Sequence, residues 1–87
     1  MKASTDIPAR SRFRQRLPQP TVRRNVRQAA GLSTYDIATH LGVTAAAVSA
    51  WERGVMPSGR FIGPYVELLE ALAKIAGGEG VAEGGPK

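Results

Sequence analysis

Residues 31–54 contain the start and stop signals of two short helices, and they restrict the fold more than any other part of the chain. Ser33 is placed to cap the first helix, and Asp36, three residues later, can complete a capping box with it. Gly42 can adopt the left-handed conformation that ends this helix. Thr44 can then cap a second helix, which is expected to stop at the end of the segment. Two helices joined by a short glycine-containing turn form a helix-turn-helix unit.

Apolar residues recur at helical spacing before this unit and inside it. A helix is predicted over residues 21–30, with its arginines mostly off the inward stripe. That stripe consists of Val22, Val26, Ala29 and Ala30. Within the unit, the expected core positions are Ile37, Ala38, Leu41, Val48 and Trp51. Both sets are spaced to bring one face of each helix into a shared core.

The strongest amphipathic stripe lies within residues 59–76. It consists of Tyr65, Leu68, Leu69, Leu72, Ile75 and Ala76. The segment is expected to form one long helix, or a short helix followed by a longer one, and Gly63–Pro64 favours a break. Its expected role is to close the core, and spare width on the stripe would allow a dimer contact. The predicted fold is all-α, a small domain of four to five helices with flexible ends.

The chain is expected to divide into three parts. Its 87 residues suffice for one small domain. We expect a flexible basic arm over residues 1–18, a helical domain over residues 19–76 and a disordered glycine-rich tail over residues 77–87. Eight of the twelve lysines and arginines lie in the first 27 residues, against Asp6 as the one acidic residue there. This asymmetry favours a polyanionic partner at the amino end, and the alternative is a solubilising tail.

The composition excludes several classes of function. The chain has no cysteine and only one histidine, His40, so disulfides, thiolate metal sites, Cys–His pairs and metal sites of several histidines cannot form. No apolar run approaches the about 20 residues of a membrane span, and the first thirty residues lack a signal-peptide core. We therefore expect no enzyme activity, no metal, no cofactor and no small-molecule substrate. The expected location is the cytoplasm of a bacterial host cell, in association with the nucleoid.

Residues 31–57 resemble the phage repressor/Cro-like helix-turn-helix family, which is the lambda-repressor-like or xenobiotic-response-element type. The agreement is in register at Gly31, Leu32, Ser33, Ile37, Ala38, Leu41, Gly42, Val43, Thr44, Val48, Trp51, Glu52, Arg53, Gly54 and Pro57. The resemblance extends over about residues 20–76. It implies a lambda-repressor-like fold that binds double-stranded DNA, with the second helix of the unit in the major groove.

The resemblance also implies which residues contact DNA. Positions that face bases and backbone in the family correspond to Thr44, Ala45, Ala46, Ser49 and Ala50. A phosphate-contacting position corresponds to Thr34, while Arg53 and Arg60 flank the second helix and can reach phosphates. The alanines differ from the polar residues that the family commonly has at these positions. A methyl group can contact only apolar surface such as a thymine methyl. Direct readout should therefore be weak and biased to A·T steps, with DNA shape contributing.

Two further groups of charged residues follow from the sequence. In the family, a basic residue of the first helix pairs with the glutamate after the tryptophan position, and these positions correspond to Arg27 and Glu52. If buried, this pair would be structural and would hold the second helix of the unit at a fixed angle. The arm carries Arg10, Arg12, Arg14 and Arg16, which are expected to follow or enter a neighbouring minor groove. Phe13, among them, is expected to pack back on the domain.

The function predicted from these features is a phage or bacterial transcriptional regulator of the repressor/Cro-like type. It would bind duplex DNA through the second helix of the unit and the basic arm, and a homodimer on two half-sites is compatible with the family. An antitoxin-type regulator shares the same sequence signature. A different alternative is a protein-interaction adaptor that uses the alanine-rich face or the stripe of Leu68, Leu69 and Leu72.

Overall fold

A computed structural model describes residues 2–79 of the chain. It contains five α-helices: α1 (Lys2–Arg16), α2 (Pro20–Ala29), α3 (Thr34–Leu41), α4 (Ala45–Glu52) and α5 (Gly59–Ala73). A π-helical stretch, Lys74–Glu79, continues α5. No strand occurs between residues 2 and 79, so the all-α fold with a small number of short helices is confirmed.

Helix α3 begins and ends at the residues that the sequence indicates. Helix α4 also begins where the sequence indicates, but it ends at Glu52, one residue before the expected Arg53. The hydroxyl of Ser33 accepts a hydrogen bond from the backbone N–H of Asp36 at 3.0 Å, and the Asp36 carboxylate accepts one from the N–H of Ser33 at 2.8 Å. Gly42 ends α3 with a φ of 76°, a left-handed conformation that favours glycine. The Thr44 hydroxyl caps α4 by accepting from the N–H of Ala47 at 3.1 Å. The capping signals thus fix the turn between the two helices.

The main core lies between α3, α4 and α5. It is built from Ile37, Ala38, Val48, Trp51, Tyr65 and Leu69, all at most 5 % exposed. The rings of Trp51 and Tyr65 pack at a centroid distance of 4.7 Å, tilted by 49°. Leu41 and Leu68 are half-buried against this cluster. The expected inward positions of α3 and α4 are therefore confirmed.

Helix α5 is continuous through Pro64, so the expected break is absent. Pro64 is the sixth residue of the helix, and its missing N–H forfeits one bond, to the carbonyl of the exposed Arg60. Beyond Ala73 the helix continues as a π-helical stretch, which has a different number of residues per turn from an α-helix. Ile75 in this stretch is 59 % exposed, so its prediction as a core residue is wrong, whereas Ala76 is half-buried.

A second buried face of α5 was missed by the sequence analysis. Ile62 and Val66 are 2 % and 0 % exposed, and Gly63 lies beside them. A Cβ atom on Gly63 would lie only 2.9 Å from the ring of Phe13 in α1. The absence of a side chain at Gly63 therefore lets α1 pack closely on α5.

The amino-terminal residues form helix α1, whereas the sequence analysis predicted a flexible arm over residues 1–18. Two contacts anchor the end of α1 on α5: Phe13 packs on Gly63, and Arg16 forms a two-point ion pair with Glu70 at 2.9 and 2.6 Å. Helical stability in proteins comes mostly from such tertiary packing, which a local pattern does not reveal. At the other end, residues 77–79 of the expected tail belong to the π-helical stretch, and residues 80–87 lie outside the described residues.

Helix α2 turns a different face inward from the one expected. Val22 is 42 % exposed, whereas its neighbour Arg23 is only 6 % exposed. Val26 is half-buried against the core, and Gly31 adopts a φ of 77° after the helix. The burial of an arginine on this face is explained by its hydrogen bonds at the end of α4.

Candidate nucleic-acid interface

Helix α4 exposes a small surface of hydroxyl and methyl groups. Thr44 and Ala46 are exposed, while Ser49 and Ala50 are half-buried. Ala45, expected on the same surface, is half-buried and packs against the core cluster. The exposed methyl surface of α4 is therefore narrower than the sequence indicates, because the first residue of the helix partly faces inward.

A cleft of about 340 Å³ lies beside α4, between α2 and the start of α3. It is lined by Arg24, Arg27, Gln28, Thr34, Ser49, Glu52 and Arg53, and we call it the basic cleft. Arg24 and Arg53 are exposed, and Thr34 is the first residue of α3. The cleft thus places two guanidinium groups next to neutral hydroxyl and amide groups at the side of α4.

The ion pair between Arg27 and Glu52 lies within the basic cleft. Arg27 Nε donates to Glu52 Oε2 at 2.5 Å, and Arg27 Nη2 donates to Glu52 Oε1 at 2.9 Å. The side chains are 12 % and 6 % exposed. The hydrogen bond to Glu52 raises the pKa of Arg27 above its ordinary value. Since Arg27 engages both carboxylate oxygens, it largely compensates the negative charge of the cleft.

Arg23 lies one helical turn before Arg27 and also contacts the end of α4. Its Nη1 donates to the carbonyl oxygen of Trp51 at 2.7 Å, and its Nε donates to the carbonyl oxygen of Pro18 at 2.7 Å. Burial lowers the pKa of Arg23 from its ordinary value. Arg23 was not among the residues predicted to contact α4, although its i, i+4 relation to Arg27 indicates that the two share a face.

Tyr65 completes the polar groups near the end of α4. It is 1 % exposed, and its hydroxyl has no hydrogen-bond partner within residues 2–79. Burial, with a smaller contribution from Glu52, raises the pKa of Tyr65 to about 12. Its ring packs on Trp51, so this residue supports α4 chiefly through apolar contact.

The remaining arginines expected at the interface lie in different places. Arg60 is exposed, with its guanidinium carbon 5.1 Å from the centroid of the Phe61 ring, and it does not line the basic cleft. In α1, Arg12 and Arg14 are exposed, Arg16 is bonded to Glu70, and the side chain of Arg10 lies outside the described part of the structure. Arg24, which does line the cleft, was missed, although it lies three residues before Arg27 on the same helix.

Comparison with known families identifies the class of protein. A family model described as helix-turn-helix matches residues 24–77, which is more than half of the chain. The chain therefore belongs to the helix-turn-helix family of the phage repressor/Cro-like type. This is a DNA-binding regulatory family and not an enzyme family. Comparisons with curated proteins and with solved structures gave no significant match.

Between residues 2 and 79, no helix has both the length and the apolar character needed to cross a bilayer. The same part of the chain contains no group of three or more histidine and carboxylate side chains placed to hold a metal ion.

Proposed function

We propose that this protein is a transcriptional regulator that binds duplex DNA with α4 in the major groove and a backbone phosphate in the basic cleft. The observation that carries the proposal is the position of the cleft, which combines Arg24 and Arg53 with the first residue of α3 beside the exposed surface of α4. Phosphate contacts of this kind set the register and orientation of a helix-turn-helix protein on DNA.

The charge of the basic cleft supports phosphate as its ligand. Glu52 is bonded through both oxygens to Arg27, so the guanidinium groups of Arg24 and Arg53 are left to act on an anion. Thr34, Ser49 and Gln28 add neutral groups that can donate to phosphate oxygens. Arg24 and Arg53 therefore supply the attraction, and the neutral donors supply the orientation.

The surface of α4 favours weak direct readout. Ala46 and Ala50 offer only methyl groups, whose available base partner is the thymine methyl. The hydroxyl of Thr44 already accepts the capping bond from Ala47, although it can still donate, and Ser49 adds a second hydroxyl. We propose A·T-biased recognition in which DNA shape carries much of the specificity.

Helix α1 is proposed to add attraction that does not depend on base sequence. Arg12 and Arg14 are exposed cations on this helix, and they are suited to phosphates along the DNA backbone. Arg16 is less suited because Glu70 already binds it through both oxygens. We propose a repressor or Cro-like role on two half-sites about 34 Å apart, bound by a homodimer. An antitoxin-type regulator would use the same DNA-binding surface.

A protein-interaction adaptor is the second candidate, and one observation favours it. A groove of about 270 Å³ lies between α2 and the junction of α5 with its π-helical continuation, lined by Asn25, Val26, Ala29, Ala73 and Ala76. Nearby in sequence, Ile75 is 59 % exposed. The leucine stripe considered earlier is a poorer surface, since Leu69 is buried and Leu68 and Leu72 are half-buried against the core.

Titration with a random duplex at several salt concentrations tests the DNA-binding proposal. We expect Arg24→Ala and Arg53→Ala each to reduce the magnitude of the slope of log affinity against log salt by about 0.9, the value for one lost phosphate contact on B-DNA. Lys74→Ala is the matched control, because it removes an exposed cation far along the chain from the cleft, and it should leave the slope unchanged. A wild-type protein that fails to bind duplex DNA at low salt would overturn the proposal and favour the adaptor.

A further inference from the structure

Two arginines of α2 hold consecutive residues at the carboxyl end of α4. Arg23 donates to the backbone carbonyl of Trp51 at 2.7 Å, and Arg27 binds the carboxylate of Glu52 at 2.5 and 2.9 Å. The burial of Val48 and Trp51 holds the inner face of α4, and the two arginines act in addition at its carboxyl end. Two contacts one helical turn apart on α2 restrict both the position and the rotation of the helix that presents Ala46 and Ser49.

The same two arginines also bind the loops at the two ends of α2. Arg23 Nε donates to the carbonyl of Pro18, in the linker that follows α1, at 2.7 Å. Arg27 Nη1 donates to the carbonyl of Leu32, in the loop before α3, at 2.9 Å. Each guanidinium group therefore bridges the end of α4 to a different loop, and α2 acts as the common frame.

Stability alone does not account for an arginine at position 23. Arg23 is only 6 % exposed, and it donates both of its hydrogen bonds to backbone carbonyls and none to a carboxylate. A buried cation without a carboxylate is costly, and apolar residues of similar volume often serve stability equally well. The family match begins at residue 24, so Arg23 itself lies just outside the matched segment, while its partner Trp51 lies inside it.

We infer that Arg23 is a second positioning residue for DNA binding, which fixes the carboxyl end of α4 against α2 and the α1–α2 linker while touching no DNA itself. The inference rests on the proposed function. The proposed role of Arg23 differs from a phosphate contact in a measurable way. A residue that acts through α4 changes the affinity for DNA without changing the number of counterions released.

Arg23→Met tests the inference, since methionine keeps an unbranched apolar stem and removes the two hydrogen bonds. The Trp51 carbonyl keeps its bond from the N–H of Gly54 at 3.1 Å, so the end of α4 retains a partner and the fold should persist. Removing a buried cation offsets the two lost hydrogen bonds, so we expect the melting temperature to change little. Affinity for a random duplex should fall about tenfold, the size of coupling typical of a residue that acts without contacting the ligand. The salt slope should equal that of the wild-type protein.

Arg23→Lys provides the second variant, because a compact ammonium cannot bridge two carbonyls as a planar guanidinium does. It should fold and bind DNA with an affinity between those of the wild type and Arg23→Met, and it decides the question alone if the methionine variant unfolds. Wild-type affinity in the folded variants would overturn the inference, and so would a slope reduced by about 0.9, which would make Arg23 a phosphate contact. Failure of the wild-type protein to bind DNA would instead overturn the proposed function.

Discussion

Replacing Glu52 by alanine removes one side of a buried ion pair and leaves Arg27 with a charge that its surroundings no longer compensate. Arg27 would keep its bond to the Leu32 carbonyl, and its side chain is 12 % exposed, so some solvation remains. Breaking one side of a buried pair costs about 3–5 kcal/mol, and these two features place Glu52→Ala near the lower end, at about 3 kcal/mol. In a domain of this size, that corresponds to a melting temperature lower by about 12–24 °C.

Thermal unfolding followed by circular dichroism measures this loss. Glu67→Ala is the matched control, since Glu67 is an exposed glutamate of α5, and it should change stability by less than about 0.5 kcal/mol. The double variant Arg27→Met, Glu52→Leu should recover most of the lost stability, because it leaves no stranded charge. A melting temperature for Glu52→Ala within about 2 °C of the wild type, or a double variant as unstable as the single one, would refute the reasoning.

Three further substitutions test other parts of the fold. Gly63→Ala places a methyl group 2.9 Å from the Phe13 ring, so it should destabilise the protein by about 1–3 kcal/mol in urea unfolding, and the same substitution should cost less in a Phe13→Ala background, where the ring is absent. Tyr65→Phe removes a buried hydroxyl without a partner and should raise stability by about 1 kcal/mol at pH 7. The pKa of Tyr65 is raised from 10.0 to about 12 in the folded state, so between pH 10 and 12 the folded protein keeps a phenol proton that the unfolded chain has lost. Wild-type stability should therefore fall by about 2–3 kcal/mol between pH 10 and 12, and equal losses in Tyr65→Phe would contradict this assignment. Ser33→Ala removes the cap of α3 and should cost about 1 kcal/mol in the same urea assay, whereas no change would show that the capping box contributes nothing.

The helix-turn-helix unit could be predicted from the sequence because its signals are local. Ser33 and Asp36 bond to each other across three residues, and Gly42 meets a conformational demand of its own position. The spacing of Val48 and Trp51 likewise depends only on the period of one helix. Features of this kind depend on residues that lie close together in the chain, so they can be predicted without knowing the rest of the fold.

Helix α1 could not be predicted in the same way, because its contacts lie far along the chain. Phe13 packs on Gly63, and Arg16 binds Glu70, which is 54 residues away. The sequence around these residues contains alternating arginines and no clear stripe, and it indicates an irregular arm. The exposure of Ile75 escaped prediction for a related reason, since a π-helical turn changes the period on which the pattern depends.

The candidate site could be predicted only in part. Its residues on α3 and α4 follow from the resemblance, but the basic cleft also contains Arg24, which belongs to a segment assigned only a general positive charge. Arg23 was expected off the inward face of its helix because the apolar stripe that starts at Val22 defined that face, and arginines are in general rarely buried. Arg23 is buried because its guanidinium group donates hydrogen bonds to the carbonyl oxygens of Pro18 and Trp51. The packing of α2 against α4 brings these two carbonyls within its reach, and a local sequence pattern does not show that packing.

The proposed function requires that α4 and the adjoining basic cleft form the surface that contacts DNA. Amide chemical shifts recorded while a random duplex is added measure this residue by residue. We expect the largest changes at Thr34, Ala46, Ser49 and Arg53, and small changes at the carboxyl end of α5. Changes confined to the groove around Ala73 and Ala76, or a spectrum that duplex DNA leaves unaltered, would contradict the account.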